Sequence, residues 1–279
     1  MRALGIDVGV GKGLDLVLMD ERRVPLRIVS RVGVGRVGDL MDELEPDVVA
    51  VDAPPGWAAT GKSRATERVL AEFNIHAFNT PSAAHGKGNP FYDWMEVGFR
   101  VFRAAAKRGF ARYAAGNPKA TAMEVFPHAT ATVLAGCLPR KGTKKKAWRE
   151  GVLRAQGVWT DDLRTADQVD ATLAALTGVL ALQGRHFAPG DPREGVIVLP
   201  AHTLPARPFR PCPEEGAEAP PLFRYCACGD VGCSELTRGE FAPGHDAKRK
   251  SMLWLRVREG QDALDELRRR GWEIPPEMR

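Results

Sequence analysis

Two apolar runs joined by a glycine-rich segment near the N-terminus constrain the fold of this 279-residue chain more than any other feature. Residues 4–8 and residues 14–20 form the two runs, and their pattern predicts a β-hairpin. Because side chains alternate along a strand, Asp7 lies on the same face as the small residue Gly5. An ionised carboxylate costs several kcal/mol when it is buried alone, so we expect a basic side chain or a metal ion beside Asp7.

The composition is typical of a globular protein with one large domain and a smaller one: 44% of the residues are hydrophobic and 27% are charged. No apolar run reaches the roughly 18 residues that a membrane span needs, so we expect no membrane partner. The chain begins directly with a strand pattern and shows no signal peptide, which predicts a cytoplasmic protein. A net charge of +5 permits nucleic acid as a partner without establishing it. The oligomeric state is not indicated.

A second carboxylate stands at the end of an apolar strand. Residues 48–51 are Val-Val-Ala-Val, the pattern of a strand covered on both faces, and Asp52 follows them before a proline-rich turn. In open α/β sheets, ligand sites lie at the carboxyl ends of the strands. We therefore expect Asp52 to belong to the same site as Asp7.

A third acidic element opens a helix that we predict from about Thr165 to Leu182. Asp167 and Asp170 are three residues apart and therefore share a face of this helix. That face continues through small residues, namely Ala171, Ala174, Thr177, Gly178 and Ala181. Aspartates at a helix start also interact favourably with the helix dipole. Their position beside the small, close-packing face favours a site over that simpler explanation.

Basic residues that could contact phosphate occur in three places. Lys12 lies in the hairpin turn, Arg64 lies in the first turn of a helix predicted from about Ser63 to Phe73, and Lys144 and Lys145 belong to the basic run 140–146. Such residues are often only solvated, and both interpretations remain open for the basic run.

The C-terminal part carries a cluster of metal-ligand residues after a proline-rich segment. Cys226, Cys228 and Cys233 lie within eight residues, and His245 follows. These four residues are a candidate tetrahedral zinc site, with Cys212 as an alternative ligand to His245. A structural zinc would stabilise a segment that is too small to bury a sufficient core.

The joint order of four motifs resembles a family of predicted nucleases with the RNase H-like fold. The motifs are Gly5-Ile6-Asp7-Val8-Gly9, Val51-Asp52-Ala53-Pro54, Glu124-Val125-Phe126-Pro127 and Asp167-Gln168-Val169-Asp170-Ala171. The resemblance covers residues 1–199. It implies an α/β fold in which a three-stranded N-terminal meander continues into parallel strands, with helices on both faces of the mixed sheet.

By analogy with RuvC-type resolvases of that fold, the resemblance implies a set of acidic metal ligands: Asp7, Asp52, Asp167 and Asp170, with Glu124 as an additional acid. Hard divalent ions prefer carboxylate oxygens, and without a cation these groups would raise one another's pKa. We therefore predict Mg²⁺ or Mn²⁺ as the catalytic cofactor and hydrolysis of phosphodiester bonds in DNA or RNA as the activity. Four basic residues are predicted to contact this substrate: Lys12, Arg64, Lys144 and Lys145.

The C-terminal tail is similar to a short zinc module with a Phe-x-Pro-Gly-His-Asp-Ala signature. The predicted organisation is thus a nuclease domain over residues 1–199, a proline-rich linker over 200–222 and a zinc-binding module over 223–279.

Two other functions fit parts of the pattern. A sugar-kinase or actin-like ATPase begins with a similar hairpin, but it encloses nucleotide between two copies of the fold, and the sequence shows one copy. A non-catalytic nucleic-acid-binding adaptor would use the zinc tail and keep the acids only as vestiges. Whether Asp7, Asp52 and Asp170 can reach a common metal distinguishes it from a nuclease.

Overall fold

In the computed structural model, which describes residues 1–213, 224–225 and 236–237, the chain begins with a three-stranded antiparallel meander. Strand β1 (Arg2–Asp7) pairs with β2 (Leu14–Asp20), and β2 pairs with β3 (Pro25–Val32). The hairpin between β1 and β2 is the one predicted from the two apolar runs. It ends β1 at Asp7, so this carboxylate lies at the carboxyl end of the strand.

Parallel strands extend the sheet from the other edge of β1. Strand β4 (Val48–Asp52) lies beside β1, and β6 (Thr121–Val125) lies beside β4. Two short strands, β5 (Ala111–Arg112) and β7 (Ile197–Val198), pair with different parts of β6. The order β3-β2-β1-β4-β6 confirms the mixed sheet predicted from the sequence.

Helices cover both faces of this sheet, as predicted. Helix α1 (Val37–Leu44) and helix α4 (Asp93–Ala106) pack on the face that carries Leu4 and Ile6. Along the chain, α2 (Ala65–Glu72) and the short α3 (Ala83–Gly86) follow β4 and precede α4.

The opposite face is covered by three helices. They are α5 (Pro127–Ala135), α6 (Lys145–Ala155) and α7 (Ala166–Leu182). Helix α7 contacts the central strands directly, and α5 and α6 pack against it.

Small residues let α7 approach the sheet closely. A Cβ atom added to Gly5 would lie 2.0 Å from the carbonyl oxygen of Ala171 and 2.3 Å from the backbone nitrogen of Ala175. A Cβ added to Gly178 would lie 2.9 Å from the Cβ of Ala3. Because Asp7 shares a face with Gly5, this contact brings the first turns of α7 to the carboxyl end of β1.

Helix α5 was not predicted. Pro127, the last residue of the motif Glu124-Val125-Phe126-Pro127, occupies the first turn of α5 in the structure. A proline is well suited to that position because its fixed φ is helical and the amide there needs no intrahelical acceptor.

The start of the predicted proline-rich linker packs on the first part of the chain. Phe209 is buried, and Cys212 forms a disulfide with Cys137. The backbone of Leu138 donates to Arg210 and accepts from Cys212, each at 2.8 Å. Residues 200–213 are therefore a packed extension. The alternative in which Cys212 is a zinc ligand is corrected, because its sulfur is bonded to Cys137.

The chain divides into two compact units, Met1–Pro220 and Pro221–Arg279. In the second unit, strand β8 (Arg224–Tyr225) pairs antiparallel with β9 (Leu236–Thr237). The predicted zinc ligands lie outside the described residues: Cys226, Cys228, Cys233 and His245. No helix in the described part of the chain has the length and apolar character to cross a membrane.

Candidate active site

Asp7 and Asp52 end two neighbouring parallel strands and are paired in register. Residues paired in this way lie side by side and point to the same face of the sheet. That face is the one covered by α7, since Gly5 on the same side of β1 contacts Ala171. The structure therefore brings the two aspartates together at one edge of the sheet.

The acidic turns of α7 lie at the same edge. Burial, followed by the charges of Asp170, Asp167 and Asp15, raises the pKa of Asp7 to about 8. Burial, followed by the charges of Asp7 and Asp170, raises the pKa of Asp52 well above its usual range. The carboxylates thus form one electrostatic cluster, and within it the protonated carboxyl of Asp7 is favoured at neutral pH.

Asp15 is a member of this cluster that the sequence analysis missed. It is the register partner of Asp7 on β2, it is 6% exposed, and it accepts a hydrogen bond from the hydroxyl of Ser30. The side chain of Gln168 donates to the same hydroxyl at 2.8 Å, which connects α7 to this end of the meander. The available signal was an acid inside an otherwise apolar run directly across the hairpin from Asp7.

Arg149 on α6 is the second residue that the sequence analysis missed. Its Nη1 donates to both carboxylate oxygens of Asp170, and both side chains are mostly buried. Burial raises the pKa of Asp170, and the charge of Arg149 acts against this rise. In the sequence Arg149 is one cation in a strongly basic stretch, and nothing local marks it as the partner of Asp170.

The donor set suits a divalent cation in charge and in chemistry. Several carboxylates converge on one partly buried edge and repel one another, which is the situation that Mg²⁺ or Mn²⁺ relieves. In the described residues, however, no three Asp, Glu, His or Cys side chains stand at the spacing of a metal site. Asp170 meets Arg149 instead, so its carboxylate must turn from the guanidinium before it can act as a metal ligand.

Glu124 and Arg64 form a buried ion pair next to this cluster. The guanidinium of Arg64 donates two hydrogen bonds of 2.6 Å to the carboxylate of Glu124, and Arg64 is 1% exposed. Glu67 accepts from Arg64 Nε and from the backbone nitrogens of Arg64 and Thr80, each at 2.9 Å. The sequence predicted an Arg64 that contacts phosphate. The structure corrects this prediction, because the guanidinium is enclosed by carboxylates.

The same pair gives Glu124 a structural role. Burial raises the pKa of Glu124, and the charge and hydrogen bonds of Arg64 on its carboxylate oxygens act against this rise. Glu124 pairs in register with Val51, the residue before Asp52, and its predicted participation in catalysis is corrected to this structural ion pair.

The remaining predicted substrate contacts are exposed lysines. Lys12 lies in the turn that follows β1, Lys144 precedes α6, and Lys145 is the first residue of α6. The charge of Lys145 lowers the pKa of both Asp170 and His128, which places it near the cluster. The contact of Lys12, Lys144 and Lys145 with substrate stays a prediction.

A cavity of about 440 Å³ opens over this edge of the sheet. Asp52, Asp170 and Arg149 contribute to its lining, together with His128. Burial and the charges of Arg149, Lys145 and His76 lower the pKa of His128 to about 4, so this imidazole is neutral at neutral pH. Other parts of the wall are aromatic, namely Phe78, Phe91, Trp94 and Phe126.

The fold and the site together define an α/β protein with a mixed sheet and an acidic cluster at the carboxyl ends of its central strands. Residues 5–194 match the family described as "Protein of unknown function (DUF429)", and the chain belongs to this family. A comparison with curated proteins found no match.

Two solved structures of RuvC from Thermus thermophilus are similar to part of the chain. One, "Thermus thermophilus RuvC structure", has 18% sequence identity and a TM-score of 0.35. The other, "T. thermophilus RuvC in complex with Holliday junction substrate", has 18% identity and a TM-score of 0.36. Each similarity covers 66% of this chain and 96% of the RuvC chain.

Proposed function

We propose that this protein is a metal-dependent nuclease that hydrolyses phosphodiester bonds in nucleic acid. The observation that carries the proposal is the register pairing of Asp7 and Asp52 on adjacent parallel strands, with Asp170 close enough to raise the pKa of both. Such a convergence of buried carboxylates opposes folding unless a cation or a proton compensates it. A structural role alone does not explain why the chain retains it at the edge of a cavity.

Asp7, Asp52 and Asp170 would hold Mg²⁺ or Mn²⁺, and Asp167 and Asp15 would add negative charge around them. An ion bound there supplies an activated water and neutralises the charge that develops on the leaving oxygen.

The chain's own residues prepare this site. Because the pKa of Asp7 is about 8, its carboxyl must release a proton at neutral pH before it can become a ligand. When Asp170 turns to a cation, Arg149 loses its partner. The planar guanidinium has the fork geometry that binds phosphate oxygens, and we assign Arg149 to the phosphate next to the scissile bond.

A non-catalytic nucleic-acid-binding protein is the second candidate. It is favoured by the ion pair between Arg149 and Asp170, which neutralises part of the acidic cluster without any metal. The kinase-like alternative has less support, because the described residues of the first unit build one mixed sheet and no second copy of it.

Hydrolysis of a panel of labelled nucleic acids tests the proposal. Single-stranded DNA, duplex DNA, single-stranded RNA and a branched DNA are incubated with Mg²⁺ or Mn²⁺ and the full chain. We expect cleavage of at least one substrate, and a loss of at least about 100-fold in Asp7→Asn. The matched control is Asp161→Asn, an exposed aspartate outside the cluster, which should cleave like the parent. Equal cleavage by Asp7→Asn and the parent would contradict the proposal.

For the C-terminal module we propose one structural zinc ion. The support is the spacing of Cys226, Cys228, Cys233 and His245, which supplies four ligands and closes the site. The zinc would stabilise the module, and the proposed hydrolysis takes place in the first unit.

A further inference from the structure

An exposed aromatic patch lines the same cavity as Asp52 and Asp170 of the acidic cluster. Phe78 is 65% exposed and Phe91 is 58% exposed, and their ring centroids are 5.9 Å apart. Trp94 lies 6.0 Å from Phe78, and all three side chains line the cavity. We call these three residues the aromatic rim.

The exposure of the rim is unfavourable for the isolated protein. Large apolar side chains in contact with water forgo the free energy of burial, and clustered ones mark binding sites more often than single ones do. The two phenylalanines contact each other, so they form a continuous apolar surface. This surface belongs to the same cavity as Asp52, Asp170 and Arg149, and a ligand can touch both at once.

The two sides of the cavity require different chemistry of their ligand. The polar side, with Arg149 and the acidic cluster, suits a phosphodiester and its metal ion, whereas the rim suits a flat apolar ring. A nucleotide with an unpaired base combines these groups within a single residue of a nucleic-acid strand. A base inside a continuous duplex does not, because both of its faces are already stacked on neighbouring bases.

We propose that the aromatic rim stacks an unpaired nucleobase of the substrate strand beside the scissile phosphate. This inference rests on the proposed nuclease function and narrows its substrate class. The substrate is single-stranded nucleic acid, or nucleic acid that is locally unpaired at the cleavage point. Stacking is tolerant of sequence because every base has a π face, so the rim selects for unpaired bases without selecting one base.

A binding experiment separates stacking from attraction to the phosphates. Fluorescein-labelled (dT)12, a 12-base-pair duplex and a 12-residue abasic strand are titrated with the full chain in EDTA, and fluorescence anisotropy is recorded. The abasic strand keeps the backbone charge of (dT)12 and lacks its bases. We expect the parent to bind (dT)12 about 5- to 100-fold more tightly than the abasic strand.

The variants assign that difference to the rim. Phe78→Leu combined with Phe91→Leu keeps an apolar surface and removes the two rings, and it should bind (dT)12 as weakly as the abasic strand. Phe78→Tyr keeps a ring and should bind like the parent. Leu26→Ala removes an apolar side chain that is 50% exposed on β3, and it should leave all three affinities unchanged. Equal circular dichroism spectra and melting temperatures establish that each variant is folded.

The outcomes separate this inference from the proposed function. The inference is overturned if the parent binds the abasic strand as tightly as (dT)12, or if the double leucine variant binds (dT)12 like the parent. Hydrolysis is measured separately with Mg²⁺. If base-dependent binding is lost in the leucine variant but the parent cleaves nothing, the stacking site stands and the proposed nuclease function fails. If the parent cleaves nucleic acid but shows no base-dependent binding, the proposed nuclease function stands and the stacking site fails.

Discussion

At Asp7, burial and neighbouring negative charge act in the same direction. Both raise the pKa of this carboxyl from its ordinary value of 3.8 to about 8, whereas the charge of Arg149 acts against them. The folded chain therefore binds a proton at Asp7 over a pH range in which the unfolded chain has already released it. By linkage, the stability of the folded protein decreases as the pH rises from about 4 to about 8.

The first prediction follows from this decrease in stability with rising pH. Replacing Asp7 with Asn removes the titrating group, so Asp7→Asn should alter stability little near pH 4 and raise it at pH 8. We expect a gain of about 1–3 kcal/mol at pH 8, below the upper limit that 1.36 kcal/mol per pKa unit sets for the whole shift. Urea unfolding at both pH values in the presence of EDTA measures it, with Asp161→Asn as control. A destabilised Asp7→Asn at pH 8 would show that Asp7 has a structural role.

The second prediction concerns Arg149, which pairs with Asp170 in the structure and which we assign to the scissile phosphate. Arg149→Gln removes a cation that competes with metal for Asp170 and also removes the phosphate ligand. Thermal unfolding should show that Mn²⁺ stabilises this variant at least as much as the parent. Cleavage should decrease by about 10- to 100-fold. If both metal stabilisation and cleavage disappear together, Arg149 only maintains the fold.

Residues also differ in how far the sequence could predict them. Asp7 and Asp52 were identified because each ends an apolar strand, which is a local pattern. The pair of Arg64 and Glu124 joins residues 60 positions apart, and no local signal connects them. The same holds for Arg149 and Asp170, which are 21 positions apart. Tertiary packing determines which charged residues pair. The local sequence around Arg64 therefore does not indicate that this residue is buried.

At the scale of elements, the contact between β1 and α7 positions the acidic cluster. Helix α7 approaches β1 so closely at Gly5 that a Cβ there would overlap the backbone of Ala171. Since Asp170 immediately precedes Ala171, any shift of α7 away from β1 also moves Asp170 away from Asp7. The small-residue face of α7 was predicted from its periodicity alone.

The third prediction uses this contact. Gly5→Ala should force α7 away from the sheet and destabilise the protein by about 1–3 kcal/mol, the usual cost of overpacking a core. The variant should also be stabilised less by Mn²⁺ than the parent is, because its acidic groups are further apart. Denaturant and thermal unfolding measure both effects. Gly33→Ala is the matched control, since a Cβ at Gly33 has no atom within 4 Å. Equal stability of Gly5→Ala and the parent would refute the close approach.

Other elements show where sequence patterns are insufficient. The strands β5 and β7 have two residues each, and they exist only through their pairing with β6. Periodicity needs a longer segment to distinguish a strand from a loop. The sequence analysis therefore found the hairpin, β4 and α7, whose patterns are long, and it missed the short strands and α5.

At the scale of the whole molecule, the two units carry the residues for two different proposed metal sites. The first unit carries carboxylates, which suit hard divalent ions, and the second carries the cysteines that suit zinc. The extension over residues 200–213 belongs to the first unit through Phe209 and the disulfide between Cys137 and Cys212.

The fourth prediction separates the two possible roles of Cys212. Purified protein should contain about one zinc ion per chain, and Cys228→Ser should lose it. Cys212→Ser should keep the zinc, because Cys212 is paired with Cys137. Elemental analysis by mass spectrometry measures the metal content. A parent without zinc, or a Cys212→Ser variant without zinc, would contradict this assignment.

The central claim is that Asp7 and Asp52 bind a divalent ion together with Asp170, and calorimetric titration with Mn²⁺ tests it most directly. The titration is performed at pH 7 in two buffers of different ionisation enthalpy, so that proton release is measured along with binding. We expect the parent to bind Mn²⁺ and to release a proton, since the pKa of Asp7 is about 8. Asp7→Asn and Asp52→Asn should each lose this binding. The absence of Mn²⁺ binding in the parent, or unchanged binding in both variants, would show that Asp7 and Asp52 are not metal ligands.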